Sequence, residues 1–124
     1  MSNALKYPSA IDSSKVGTYE PIVFSGGGHF YDNVLEYRVW VKNHDETAHY
    51  CFATYEEAAT FSKATKNAEK PVVLVLQKEY IDEQDPDNPK QIKKERMAEW
   101  LPEWLPGNMG THQKIPEFFK RRKH

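Results

Sequence analysis

The chain is predicted to be an α+β domain: a small antiparallel sheet in β-β-α-β-β order, with one helix packed on one face. Three stretches carry that prediction. Pro71 is followed by Val72-Val73-Leu74-Val75-Leu76, five apolar residues of which three are β-branched. A run that short and that apolar, behind a proline unsuited to a helix interior, predicts a strand covered on both faces in the middle of the sheet. Thr54-Tyr55-Glu56-Glu57 has the spacing of a capping box, with Ala58, Phe61, Thr65 and Ala68 following at three- and four-residue intervals. That pattern predicts a helix over 55–66 with one apolar stripe turned to the sheet. Residues 34–41 and 48–53 alternate on either side of the polar loop 42–46, which predicts a hairpin.

Within the first of these strands, Leu35, Tyr37, Val39 and Val41 share one face, and Val34, Glu36, Arg38 and Trp40 the other. In the second, Tyr50 and Phe52 oppose His49 and Cys51 in the same way. The central strand is expected to continue through Glu79, Tyr80 and Ile81 into an acidic turn over 82–89 that holds Pro86 and Pro89. Residues 91–101 fit either a charged helix or an edge strand. The strand is favoured, because it follows the central strand across a turn and its charges suit an exposed edge. Pro102 and Pro106 break any regular element at Glu103-Trp104-Leu105, and Pro116 fits the first turn of a short helix over 116–120.

Upstream, residues 1–19 hold isolated apolar residues without a period, and are read as a mobile arm that buries too little to offset its ordering entropy. Pro21-Ile22-Val23-Phe24 is a candidate short strand, stopped by Ser25-Gly26-Gly27-Gly28. The expected organisation is the arm, one domain over 20–119 and a basic tail over 120–124.

Composition narrows the function classes. A chain of 124 residues with 39% hydrophobic content builds one domain with its own core. Seventeen basic residues against eighteen acidic ones give no overall field to draw in nucleic acid, which is not expected as a partner. Cys51 is the sole cysteine, so no internal disulfide forms and a reducing, cytoplasmic setting is expected. No run of apolar residues is long enough to span a membrane. The exposed edge at 91–101 admits a homodimer.

Several places could carry chemistry. Successive amides of Gly26, Gly27 and Gly28 can form an anion-binding concavity, with His29, Tyr31 and Asp32 beside it as acid, base or orienting groups. The plainer reading is a flexible turn with a solvated histidine. Glu36, Arg38 and Glu79 could line a polar patch on the sheet face away from the helix, where Arg38 would meet a ligand. The plainer reading is a wet sheet face, with some charges paired across strands. Cys51 and His49 are two apart on one strand face, about 6–7 Å, too far for a direct bond, so an inert cysteine is expected. The five histidines show no paired spacing, and no metal is expected. Trp100 and Trp104 lie among prolines in Trp100-Leu101-Pro102-Glu103-Trp104-Leu105, where they would serve as partner-binding anchors if exposed and seal the sheet edge if packed.

Four segments carry a resemblance: Phe24-Ser25-Gly26-Gly27-Gly28-His29-Phe30-Tyr31-Asp32 through Leu35-Glu36-Tyr37-Arg38-Val39-Trp40; Thr54-Tyr55-Glu56-Glu57-Ala58; Val73-Leu74-Val75-Leu76-Gln77-Lys78-Glu79-Tyr80-Ile81-Asp82-Glu83; and Glu95-Arg96-Met97-Ala98-Glu99-Trp100. Together they make residues 22–119 similar to a family of short bacterial proteins identified as GNAT-type (GCN-five-related) N-acetyltransferases. The resemblance implies an acetyl-CoA-dependent transferase, in which His29, Tyr31 or Glu79 would give acid–base help. The Q/R-x-x-G-x-G/A loop of such enzymes has no counterpart in the chain, so no catalytic residue is carried over and no cofactor is expected. The function expected from the residues is a non-catalytic module binding a small ligand or a protein.

Overall fold

A computed structural model describes residues 7–20 and 29–122. Among the described residues six strands and two α-helices follow one another as β1 (Asn33–Asn43), β2 (Glu46–Phe52), α1 (Tyr55–Ala64), β3 (Val72–Gln77), β4 (Tyr80–Asp82), β5 (Lys90–Ile92), β6 (Arg96–Trp100) and α2 (Thr111–Arg122). Four strands make an antiparallel sheet in the order β2-β1-β3-β6, and β4 pairs with β5 in a separate ribbon. The class is α+β. The Val72–Leu76 run lies in the interior of the sheet, with Val73, Leu74 and Val75 buried.

α1 forms where the capping box predicts. The Glu57 amide donates to the Thr54 hydroxyl oxygen at 3.2 Å, and that hydroxyl meets the Glu57 carboxylate at 3.1 Å. A cap of this kind contributes about 1 kcal/mol to the helix. The helix lays Ala58 and Phe61 on the sheet, where Tyr37, Val39, Val41, Val73, Val75, Ala98 and Trp100 form the core. Phe61 packs on Tyr50 and Phe52, with ring centroids 4.8 and 5.3 Å apart.

One irregularity in β1 sets the two faces of the sheet. Val34 pairs with Val75 and Glu36 with Leu74, so Leu35 is an extra residue, a β-bulge. The bulge shifts the alternation by one residue. Val34 joins the core face instead of the Glu36 face that strict alternation gives it, and Leu35 turns away from the core cluster.

Five further expectations change. β3 stops at Gln77 and does not run on through Glu79; Tyr80–Asp82 belongs to the ribbon. Its closing turn is held by the Asn88 amide on Asp85 O at 2.9 Å. The 91–101 segment is extended, yet divided between β5 and β6. α2 starts five residues before Pro116 and keeps the proline inside, because Thr111 and Ile115, both fully buried, anchor its inner side. Lys120 and Arg121, expected in the basic tail, belong to this helix. Finally, residues 7–20 are not partnerless: the Ala10 amide donates to Ala53 O and the Ile11 amide to Val34 O, each at 2.8 Å. The Tyr37 hydroxyl donates to Pro8 O. Backbone pairing, the Tyr37 hydroxyl and the packing of Tyr7 on the Tyr55 ring at 4.8 Å supply the hold. The candidate strand at 21–24 and the glycines Gly26, Gly27 and Gly28 lie outside the described residues.

Candidate functional site

The sheet face away from α1 is not wet. Its cross-strand rows are set by the register: Asn33, Leu76 and Met97; then Glu36, Leu74 and Glu99; then Cys51, Arg38 and Val72. Glu36 and Arg38 are fully buried and Glu99 is 8% exposed, so the expected solvated charges are instead enclosed. They are tolerable there because each carboxylate and the guanidinium finds partners. Arg38 Nε donates to Glu36 Oε2 at 2.6 Å and Nη1 reaches Glu99 Oε2 at 3.4 Å. One cation facing two carboxylates leaves negative charge in surplus, and neutral donors converge on it. Trp40 Nε1 donates to Glu99 Oε2 at 3.0 Å, Cys51 Sγ to Glu36 Oε2 at 3.3 Å, and the Gly17 amide to Glu36 Oε1 at 2.8 Å.

Cys51 is thereby disarmed. Burial and the Glu36 carboxylate push its thiol up to about 12 from 9.0, while nearby Arg38 pulls the other way. A thiolate is the reactive form. Iodoacetamide labelling of the folded protein at pH 8 is therefore expected to run roughly a hundredfold or more slower than for the same protein in urea. Equal rates would show that the thiol is not held by Glu36. The fold favours the neutral thiol, so this contribution to stability is complete below pH 9 and is lost as the pH rises from 9 towards 12.

Beside the charge cluster a groove of about 630 Å³ opens between the sheet and the N-terminal arm. Asn33, Leu35, Leu76 and Met97 line it from the sheet; Ile11, Asp12, Lys15 and Tyr19 line it from the arm; Glu95 and Arg96 complete the rim. The bulge places Leu35 here, and β3 and β6 supply Leu76 and Met97 from one row. Arg96 is held in place: Nε donates to Gln77 Oε1 at 2.7 Å and the guanidinium lies 3.7 Å from the centre of the Tyr80 ring. Burial lowers the pKa of Arg96 from its ordinary value.

The residues singled out from sequence are spread over the molecule. Arg38 is within the buried cluster, where Nη2 donates to Glu20 O at 2.7 Å. Tyr31 is 2% exposed and packs edge-on against Trp100, its pKa raised by burial. Trp100 itself is in the core, while Trp104 is 39% exposed. His29 Nε2 is 2.6 Å from Glu83 Oε1, and Glu79 meets His112 Nδ1 at 2.7 Å and Gln91 Nε2 at 2.6 Å. None of His29, Tyr31, Glu79, Arg38, Trp100 or Trp104 lines the groove. Leu35, Leu76 and Met97 carry no mark of a site in the sequence; the signal for Leu76 and Met97 lies in the β3–β6 pairing, and none announces the bulge.

The pyrophosphate of acetyl-CoA needs convergent backbone amides, typically at a helix start. The start of α1 does not fit it. At α1 the Glu57 amide is bound by Thr54 and the first turn carries Glu56 and Glu57, which repel phosphate. Among the described residues, no group of three or more His, Cys, Asp or Glu side chains is arranged to hold a metal ion. Nor is any described helix long and apolar enough to cross a membrane. Compared with known proteins, the chain matches no family model, no curated protein and no solved structure.

Proposed function

We propose that the chain is a non-catalytic binding module whose ligand is a small molecule with an apolar body, seated in the groove between arm and sheet. The observation that carries this reading is the apolar floor formed by Leu35, Leu76 and Met97, with the sheet on one side and the arm on the other. Ligand pockets of about 300–1,000 Å³ with mostly apolar linings and a few polar groups are the usual form of such sites. Here Lys15, Tyr19, Asn33 and Arg96 supply the polar groups that would orient the ligand. Cys51 is not among the described residues that line the groove, and burial and Glu36 push its thiol up to about 12.

Titration with 8-anilinonaphthalene-1-sulfonate tests the reading. One saturable site is expected on the native protein, and Met97→Glu, which brings a carboxylate onto the apolar floor, is expected to weaken it at least about tenfold. Undiminished binding by that variant would place the dye elsewhere and end the proposal. The acetyl-CoA-dependent transferase implied by the resemblance is the competing outcome. It would show as a rise in Tm at millimolar acetyl-CoA, since a ligand at 100 times its Kd adds about 2.7 kcal/mol.

A further inference from the structure

We propose that residues 7–20 are a strap closing over the groove, and that Glu36 and Arg38 are its latch and thus positioning residues for the ligand. The inference rests on the groove reading and adds how the site is kept in shape. One wall of the groove is the sheet, and the other is the strap, through Ile11, Asp12, Lys15 and Tyr19. The strap's apolar grip is at its start, where Tyr7 packs on the Tyr55 ring at 4.8 Å; over the groove Ile11 is 63% exposed, and Ser13, Ser14 and Lys15 are exposed as well.

Its two ends are held differently. Near its start the Ala10 and Ile11 amides pair with the Ala53 and Val34 carbonyls. A tight turn over Ser13–Lys15 comes next, capped by Asp12, which accepts from the Ser14 amide at 3.0 Å. Beyond the turn two buried side chains take over. Glu36 Oε1 accepts the Gly17 amide at 2.8 Å and Arg38 Nη2 donates to Glu20 O at 2.7 Å. Both are charge-assisted bonds, stronger than neutral ones. Glu36 and Arg38 are themselves fixed by each other and by Glu99, so the cluster sets where the strap lies. A ligand on Leu35, Leu76 and Met97 also touches the strap. Binding and latching then favour the same closed state, and each strengthens the other.

Trypsin cleavage after Lys15 in the full chain reads the latch without any ligand. Two variants release it by different routes. Glu36→Gln removes the charged acceptor. Gly17→Ala disfavours the backbone at φ +87°, where an added Cβ meets nothing within 4 Å, and so leaves packing untouched. Cleavage at Lys15 is expected about tenfold faster in both, with exchange of the Val73 and Val75 amides unchanged in Gly17→Ala. 8-Anilinonaphthalene-1-sulfonate is expected to slow cleavage of the native protein and to bind both variants more weakly. Cleavage at the native rate in both variants would overturn the latch. If Glu36→Gln does not fold, Gly17→Ala decides alone. Faster cleavage with no dye binding to the native protein would leave the latch standing and remove the groove reading instead.

Discussion

Arg38→Met is expected to destabilise the fold by about 3–5 kcal/mol, the usual result of removing one member of a buried ion pair. The lost contacts are the smaller part of this. Glu36 and Glu99, fully buried and 8% exposed, would be left without their shared cation in a place water does not reach. The neutral donors from Trp40, Cys51 and Gly17 cannot replace a full positive charge. Against a typical total of about 5–15 kcal/mol, such a loss moves the urea midpoint far down. The triple variant Glu36→Leu, Arg38→Met, Glu99→Leu separates orphaned charge from lost packing. It is expected to recover roughly half or more of the stability, because no unpaired charge remains. A triple variant as unstable as Arg38→Met would show that packing around the cluster, and not charge, sets the penalty.

Leu74→Ala is the second large effect, expected at about 2–5 kcal/mol. Leu74 is fully buried on β3, between Glu36 on β1 and Glu99 on β6 in one cross-strand row. Its neighbours on both sides are held by ion pairing and hydrogen bonds, so they have little freedom to close the cavity. The cost therefore belongs at the upper part of that range. Urea unfolding checks it, with Leu101→Ala as control; Leu101 is 41% exposed and its loss should stay within about 0.5 kcal/mol. Equal effects from the two would contradict the interior position of β3.

The parts of the fold legible in the sequence are those whose signals are local. The Thr54 cap, the Val72–Leu76 run and the β1–β2 pairing depend on neighbours a few residues away and appear where expected, although the bulge exchanges the faces of Val34 and Leu35 and α1 ends at Ala64, before Thr65 and Ala68. The concealed parts depend on distant partners. Glu36 and Arg38 have the composition of a wet strand face, and nothing within 34–41 says that Glu99 stands two strands away or that the arm covers them. Pro116 reads as a helix start, because a first-turn proline is cheap and an interior one is not. Burial of Thr111 and Ile115 outweighs that preference. The candidate site is the least legible part. His29, Tyr31 and Glu79 draw notice through their chemistry, whereas the groove is made from Leu35, Leu76 and Met97, ordinary residues brought together by register.

Leu35 divides β1 into two stretches with opposite inside–outside rules. Ahead of it the even position Val34 faces inward; behind it the odd positions Tyr37, Val39 and Val41 do. Removing that single residue would make Val34 and Glu36 neighbours opposite the neighbours Val75 and Leu74, a regular ladder that keeps Val34 inside and the ionic cluster outside. The extra residue is therefore dispensable to the two faces, and what it adds is the buried Leu35 side chain in the cleft, which a one-residue deletion would remove.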